Sequence, residues 1–244
     1  VSAYVGSVAD PDLLGSVYEV DTATLEITRE VKVGHQPDEL VVVDDKLYVV
    51  NSGGYLINRY DSTMSVIDLH SFTELRKVVV GLNPTRLRLD DQKHLWVCCQ
   101  GNYNQTAPQV VVLQNEAVIQ RILTPCSNIS IQGTTAYVID NKQNTLNTIS
   151  TIDFALSAFN FQQTPSFENP YGLLATADAL YITDAKNYVS SGVLHCYSYD
   201  GREHWCAQTG DIPGRLCRVT GAYDIHGDTV PEPPKKSPYI TRVY

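Results

Sequence analysis

Positive charge is scarce in this sequence: 18 Lys and Arg stand against 27 Asp and Glu over 244 residues, a formal charge of −9, and no Lys/Arg-rich run interrupts the pattern. A phosphate-binding footprint needs a concentrated basic face, so the composition argues against nucleic acid as a partner. No apolar run reaches membrane-spanning length. No signal-peptide pattern opens the chain, which starts in strand-like sequence and reads as a mature or trimmed form. The six cysteines include no CxxC, and the adjacent Cys98 and Cys99 would face opposite sides of a strand, which argues against the two as ligands of one zinc. GxSxG, HExxH, P-loop and dinucleotide fingerprints are missing. So is helical spacing of apolar residues over several turns. With 43% hydrophobic residues, the chain can still bury a large core in one repetitive domain.

What is present is a four-part phrase met five times: a Pro- or Asn-bearing loop, a short apolar strand, an aromatic-centred strand, and a Val/Ile strand often closed by Asp. The loops are Gln36-Pro37-Asp38-Glu39, Asn83-Pro84-Thr85-Arg86, Cys126-Ser127-Asn128, Asn169-Pro170-Tyr171-Gly172 and Ile212-Pro213-Gly214-Arg215. Pro37 and Pro84 are 47 residues apart, Pro84 and Pro170 are 86 apart across two units, and Pro170 and Pro213 are 43 apart. The aromatic strands keep the same phase at Leu47-Tyr48-Val49, Leu95-Trp96-Val97, Ala136-Tyr137-Val138 and Leu180-Tyr181-Ile182. β-Branched and aromatic runs of this length, bounded by Gly, Asn, Asp and Pro, read as strands. The spacing is that of an all-β propeller of four-stranded blades. Five repeats are visible, either a five-bladed ring or part of a seven-bladed one.

Residues 1–32 supply the last three strands of one blade, and four fuller blades follow. Arg215-Leu216-Cys217-Arg218-Val219 begins a further first strand that could complete the N-terminal blade. The propeller is expected over residues 1–220. A Pro-rich linker or tail with a terminal strand is expected over 221–244.

Loops joining second to third strands, and those joining successive blades, gather at one mouth of a propeller. Here they are rich in tyrosine and carboxamide. The candidate ligand-binding residues are Tyr55, Asn58, Arg59, Tyr60, Arg86, Asn102, Tyr103, Asn104, Tyr171, Lys186, Asn187 and Tyr188. Tyrosine offers broad contact area at low entropy cost, and amides both donate and accept, which suits a large polar ligand with flat apolar parts. Asn and Gly also serve tight turns, and about half of these positions are explained that way. Cys196 and Cys206 lie equidistant from Gly201 in a hairpin-like segment and form a candidate disulfide, the alternative being two half-buried thiols. The histidines fall at different phases of the repeat, and no catalytic cluster is implied.

Across residues 1–220 the chain resembles the YncE-like surface propellers of Bacteroides-type bacteria. The resemblance is carried by Val17-Tyr18-Glu19-Val20-Asp21-Thr22, Leu47-Tyr48-Val49-Val50-Asn51-Ser52-Gly53-Gly54-Tyr55, Ser65-Val66-Ile67-Asp68-Leu69, residues 181–189 and residues 209–213. It implies an exported protein, lipid-anchored at the outer-membrane surface or periplasmic, without a cofactor and monomeric by itself. One branch of that family, BtuG, captures cobalamin and passes it to a TonB-dependent transporter. The resemblance therefore implies non-enzymatic capture of cobalamin or a related corrinoid, with such a transporter as partner. An adhesive or scaffolding module for protein or glycan is the alternative, and a lactonase- or lyase-like propeller enzyme a lesser one.

Overall fold

Where the sequence centres an apolar run on an aromatic residue, the structure places the second strand of an antiparallel meander. The computed structural model describes residues 2–4, 13–56 and 59–218, the first three by backbone alone. β1 (Ser2–Tyr4), β2 (Ser16–Val20) and β3 (Ile27–Lys32) form a three-stranded sheet. Three four-stranded blades follow. They are β4 (Pro37–Val43), β5 (Lys46–Asn51), β6 (Thr63–Asp68) and β7 (Thr73–Val79); β8 (Pro84–Leu89), β9 (Leu95–Cys99), β10 (Gln109–Gln114) and β11 (Ala117–Ile122); and β12 (Asn128–Gln132), β13 (Thr135–Asp140), β14 (Thr145–Ser150) and β15 (Leu156–Ala158). The fifth sheet is β16 (Pro170–Ala175), β17 (Leu180–Asp184), β18 (Val193–Tyr197) and β19 (Glu203–Gln208). The chain divides into two compact units, Val1–Ala158 with four sheets and Phe159–Tyr244 with the last. The expected boundary at residue 220 and the tail beyond it lie outside the described residues. Of the anticipated closing strand, Leu216 makes an isolated bridge and packs against Ala179, Tyr181, Leu194 and Cys196.

In the first unit, β4, β8 and β12 stand side by side as the innermost strands. The second strands read as continuous apolar runs because a blade is covered on both faces. From β5, Leu47 and Val49 pack with Val17, Val33 and Phe72 toward the preceding sheet, whereas Tyr48 and Val50 pack with Leu87, Val97 and Val111 of the next. Strand alternation thus sends successive side chains into two different cores. The last strands β7, β15 and β19 are largely exposed, and β7 carries Glu74, Arg76 and Lys77, charges that discourage edge pairing.

Proline accounts for a recurrent irregularity. β4, β8 and β16 each begin with Pro and each shifts register within its first residues, between Pro37 and Glu39, Pro84 and Arg86, and Pro170 and Leu173. β12, which starts with Asn128, pairs with β13 without a shift. A residue with no N–H to give the ladder is accommodated by a bulge.

Asp90 organises the turn between β8 and β9. Its carboxylate accepts from the Gln92 and His94 amides at 2.9 and 2.8 Å, lies 2.9 Å from His94 Nδ1, and accepts from Trp96 Nε1 at 2.9 Å. His94 is buried. Trp96→Phe keeps most of the ring volume but deletes one donor to a buried carboxylate, and is expected to cost about 2 kcal/mol in urea denaturation. An unchanged midpoint would mean that the indole N–H contributes nothing to this turn.

A disulfide joins Cys98 of β9 to Cys126, in the loop leading into β12, with Cα atoms 5.6 Å apart. It ties two neighbouring blades of the first unit together. The candidate Cys196–Cys206 bond is not formed: both are free thiols, the first buried and the second exposed. The hairpin is centred one residue before Gly201, with Tyr197 opposite Glu203, and past a bulge between Cys196 and Tyr197 Cys196 faces Trp205 and His195 faces Cys206. Adjacent strand residues point to opposite faces, so that offset places the two sulfurs on different sides of the sheet.

Candidate functional site

The loops that follow the second strands are held by short-range hydrogen bonds to the loops that precede the first strands. Ser52 and Gly53 amides donate to the Gln36 and His35 carbonyls at 3.1 and 3.0 Å, and Gln100 and Gly101 amides donate to Asn83 and Leu82 carbonyls at 2.9 and 3.0 Å. At Gly101, φ is +70° and a Cβ would stand 2.0 Å from the Thr106 carbonyl oxygen, so only glycine lets the Tyr103 loop fold back on itself. The Asn83 amide reaches the Asp61 carbonyl of the preceding blade at 2.8 Å. These contacts bring two of the candidate residues together. Tyr60 and Tyr103 meet edge to face with ring centroids 6.1 Å apart, and Asn83 Nδ2 donates to the Tyr103 hydroxyl at 3.4 Å.

Tyr103 is 71% exposed and its backbone adopts φ +58°. A bulky residue in the left-handed region costs about 1–2 kcal/mol relative to its ordinary backbone. At Phe72, also left-handed, the buried ring packs against the core and offsets that cost. The Tyr103 ring is instead presented to solvent.

The remaining candidates of the first unit are used differently. Tyr55 is 53% exposed, and its amide donates to Gln36 Oε1. Arg59 is exposed, with its amide on the Leu56 carbonyl at 2.8 Å, and Asn58 lies outside the described residues. Arg86 sits low on β8, its guanidinium 3.3 Å from Asp38 and 3.8 Å from Glu39; Arg88 also pairs with Glu39. Asn102 Oδ1 accepts from the Asn104 and Thr106 amides at 3.1 and 2.8 Å, so Asn102 is a turn-former and Asn104 a backbone participant in that turn.

In the second unit, Tyr171 and Tyr188 form another edge-to-face pair at 5.8 Å, with Tyr188 46% exposed and at φ +63°. Burial, then the neighbouring Tyr171 and Asp184, push the Tyr188 phenol above its ordinary pKa, which keeps it neutral. Asn187 Oδ1 accepts from the Val189 and Ser190 amides and the Ser190 hydroxyl, again a turn role. Lys186 Nζ is 2.9 Å from Asp184 and 3.4 Å from Glu168.

Asp184 is fully buried and accepts from the Glu168, Asn169 and Lys186 amides at 3.0, 2.8 and 3.0 Å. Burial pushes its carboxyl up, but the Asn169 and Glu168 amides and Lys186 outweigh that effect and hold the pKa below the ordinary value. A carboxyl depressed in the folded state adds stability above its unfolded pKa of about 4, and that increment vanishes as pH falls through the folded value. Asp184→Asn is expected to lose about 3 kcal/mol at pH 7. Its deficit against the parent should shrink as pH is lowered below 4 in parallel urea titrations. A deficit that stays constant with pH would show that the carboxylate charge is not what holds these loops.

Gln36, Asn83 and Ser127 lie in the loops singled out for proline or asparagine, each one residue before a first strand. Among the described residues, no three His, Cys, Asp or Glu side chains converge as a metal site.

No family model and no curated protein matches this chain. Solved structures do. BamB from Moraxella catarrhalis superposes over 89% of this chain with a TM-score of 0.59 at 10% identity. A functionally unknown protein from Desulfotomaculum acetoxidans DSM 771 covers 87% with a TM-score of 0.64 at 12% identity, and the computationally designed Ika8 covers 86% with 0.58 at 11%. The chain spans 63% of the BamB chain and 67% of the Desulfotomaculum protein. At such identities the likeness concerns architecture alone, and together with the meander sheets it assigns the β-propeller fold.

Proposed function

We propose that this chain is a non-enzymatic ligand-binding propeller that holds a polar ligand with flat apolar parts at the mouth formed where β4, β8 and β12 begin. The observation that carries the reading is Tyr103: an exposed ring on a left-handed backbone, steadied by Asn83 from below and by Tyr60 at its side. A flat ligand face packs on such a ring, and the surrounding amides suit its polar edge. The sequence resemblance makes cobalamin or a related corrinoid the first ligand to try, and a TonB-dependent outer-membrane transporter the partner to seek. The Cys98–Cys126 disulfide supports residence in an oxidising compartment such as the periplasm or cell surface.

Calorimetric titration of the purified chain with cyanocobalamin tests this reading. Saturable one-to-one binding is the expected result. No heat with cyanocobalamin, but heat with a neutral oligosaccharide or a protein ligand, would replace corrinoid capture with the adhesive alternative.

A further inference from the structure

The Tyr103 loop begins beside the disulfide. Cys98 lies in β9, Cys99 ends that strand, and Gln100 opens the loop. Gln100 is 8% exposed, and its side chain bridges two blades: Nε2 donates to the carbonyl of Cys126, the other disulfide residue, and to Thr85 Oγ1 of β8 at 3.1 Å. The Gln100 amide donates to the Asn83 carbonyl at 2.9 Å, and Asn83 Nδ2 donates to the Tyr103 hydroxyl. An unbroken series of bonds therefore runs from the disulfide through Cys126, Gln100 and Asn83 to the exposed ring.

The preceding blade is built differently at the same place. Ser52 follows β5 as Gln100 follows β9, and its amide donates to the Gln36 carbonyl as that of Gln100 does to Asn83. Its hydroxyl donates to the same Gln36 carbonyl at 3.0 Å, so both bonds end within the blade. Val50 stands where the next blade has Cys98. A disulfide holds two backbones at one separation, here 5.6 Å between Cα atoms. The Cys126 carbonyl belongs to a fully buried residue, where an unmade bond is costly, so Gln100 follows that carbonyl.

We infer that Gln100 is a positioning residue through which the Cys98–Cys126 disulfide holds the Tyr103 ring, so that the aromatic surface of the mouth is set in the oxidised chain and loosened in the reduced one. Reduction by a dithiol breaks the S–S bond with two electrons and two protons, leaving two protein thiols and the cyclic disulfide of the reagent. The Cys126 carbonyl then moves with its loop, and Gln100 loses a fixed acceptor. Presentation of the ring is thereby tied to an oxidising compartment. What the ring does there rests on the binding reading above, whereas the coupling of loop to disulfide does not.

Hydrogen exchange followed by NMR tests the coupling without a ligand, on the oxidised chain and on the chain refolded in excess dithiothreitol. Reduction is expected to speed exchange at the Gln100, Gly101 and Asn102 amides about tenfold more than at the Ser52 and Gly53 amides, a coupling of the size found within one hydrogen-bond network. Gln100→Met keeps the length of the side chain and removes its N–H groups, and in that variant the excess is expected to fall to within about twofold. Equal acceleration of the two loops in the parent overturns the inference and needs no variant. So does an excess that persists in Gln100→Met, which would route the coupling past Gln100. Cyanocobalamin is then titrated into both forms of the parent, with about tenfold weaker binding expected for the reduced one. Equal affinity alongside unequal exchange would move the ligand off Tyr103 and overturn the binding reading, with the coupling upheld. No binding by either form overturns the corrinoid reading, and the exchange comparison still decides the coupling.

Discussion

Reducing the Cys98–Cys126 bond is expected to lower the melting temperature of the protein by about 10 °C. The two cysteines are 28 residues apart in sequence. Closing a loop of that length removes unfolded-state entropy worth about 3–4 kcal/mol at 25 °C, and each kcal/mol moves the midpoint of a chain of this size by about 2–4 °C. Both sulfurs are buried among Trp96, Val110, Ile129 and Val138, so the bond also secures the core shared by two blades. The adjacent Cys99 does not interfere: burial pushes its thiol up to about 12, against a lesser opposing effect of Arg121, and a thiol that stays protonated does not attack a disulfide. Calorimetric scans with and without reductant, repeated on Cys126→Ala, measure the effect. Cys206→Ala is the control and should leave the melting temperature within about 1 °C, as substitutions at exposed positions usually do. Coincident melting of the oxidised and reduced protein would mean that the blades hold together without the bond.

The second large effect concerns binding. Tyr60→Ala combined with Tyr103→Ala is expected to weaken cyanocobalamin binding by about 100-fold or more, because truncating a well-placed tyrosine at an interface commonly costs about 2 kcal/mol or more. The two rings touch, so the double variant is expected to lose less than the two single losses added together. Tyr103→Asn separates function from folding. Asparagine tolerates the left-handed backbone that tyrosine occupies at a cost, so its stability should stay within about 1 kcal/mol of the parent while affinity is lost. Titration and urea denaturation of the two single alanine variants, the double variant and Tyr103→Asn give both quantities. Full affinity in the double variant would move the ligand away from this pair.

The blades were legible because two independent signals kept phase: proline before the first strand and an aromatic residue in the second. The same prolines accompany bulges in β4, β8 and β16, a link that emerges only once β12 is seen to lack both. The disulfide was not legible. Cys98 and Cys126 become neighbours only because β9 packs against the loop of the following blade, a contact between blades that no spacing along the chain displays. Cys196 and Cys206 are equidistant from Gly201 in sequence, but the hairpin centres one residue earlier, and of the two alternatives the free thiols are what forms.

The site divides similarly. Tyrosines in long loops stood out because a turn does not require them, and two of them, Tyr60 and Tyr103, meet in the structure. Asn102 and Asn187 had the right composition for a ligand, but both spend their side-chain oxygens on backbone amides within their own turns. Arg86 is engaged by Asp38 and Glu39 on the inner strands. Local competition between a side chain and its own backbone decides such cases, and only coordinates reveal which side wins.

The most direct test of the account is anomalous diffraction at the cobalt edge from crystals of this protein grown with cyanocobalamin. The expected result is a single cobalt peak over the starts of β4, β8 and β12, with the corrin face against Tyr103. A peak elsewhere on the chain, or none at saturating ligand, would contradict it.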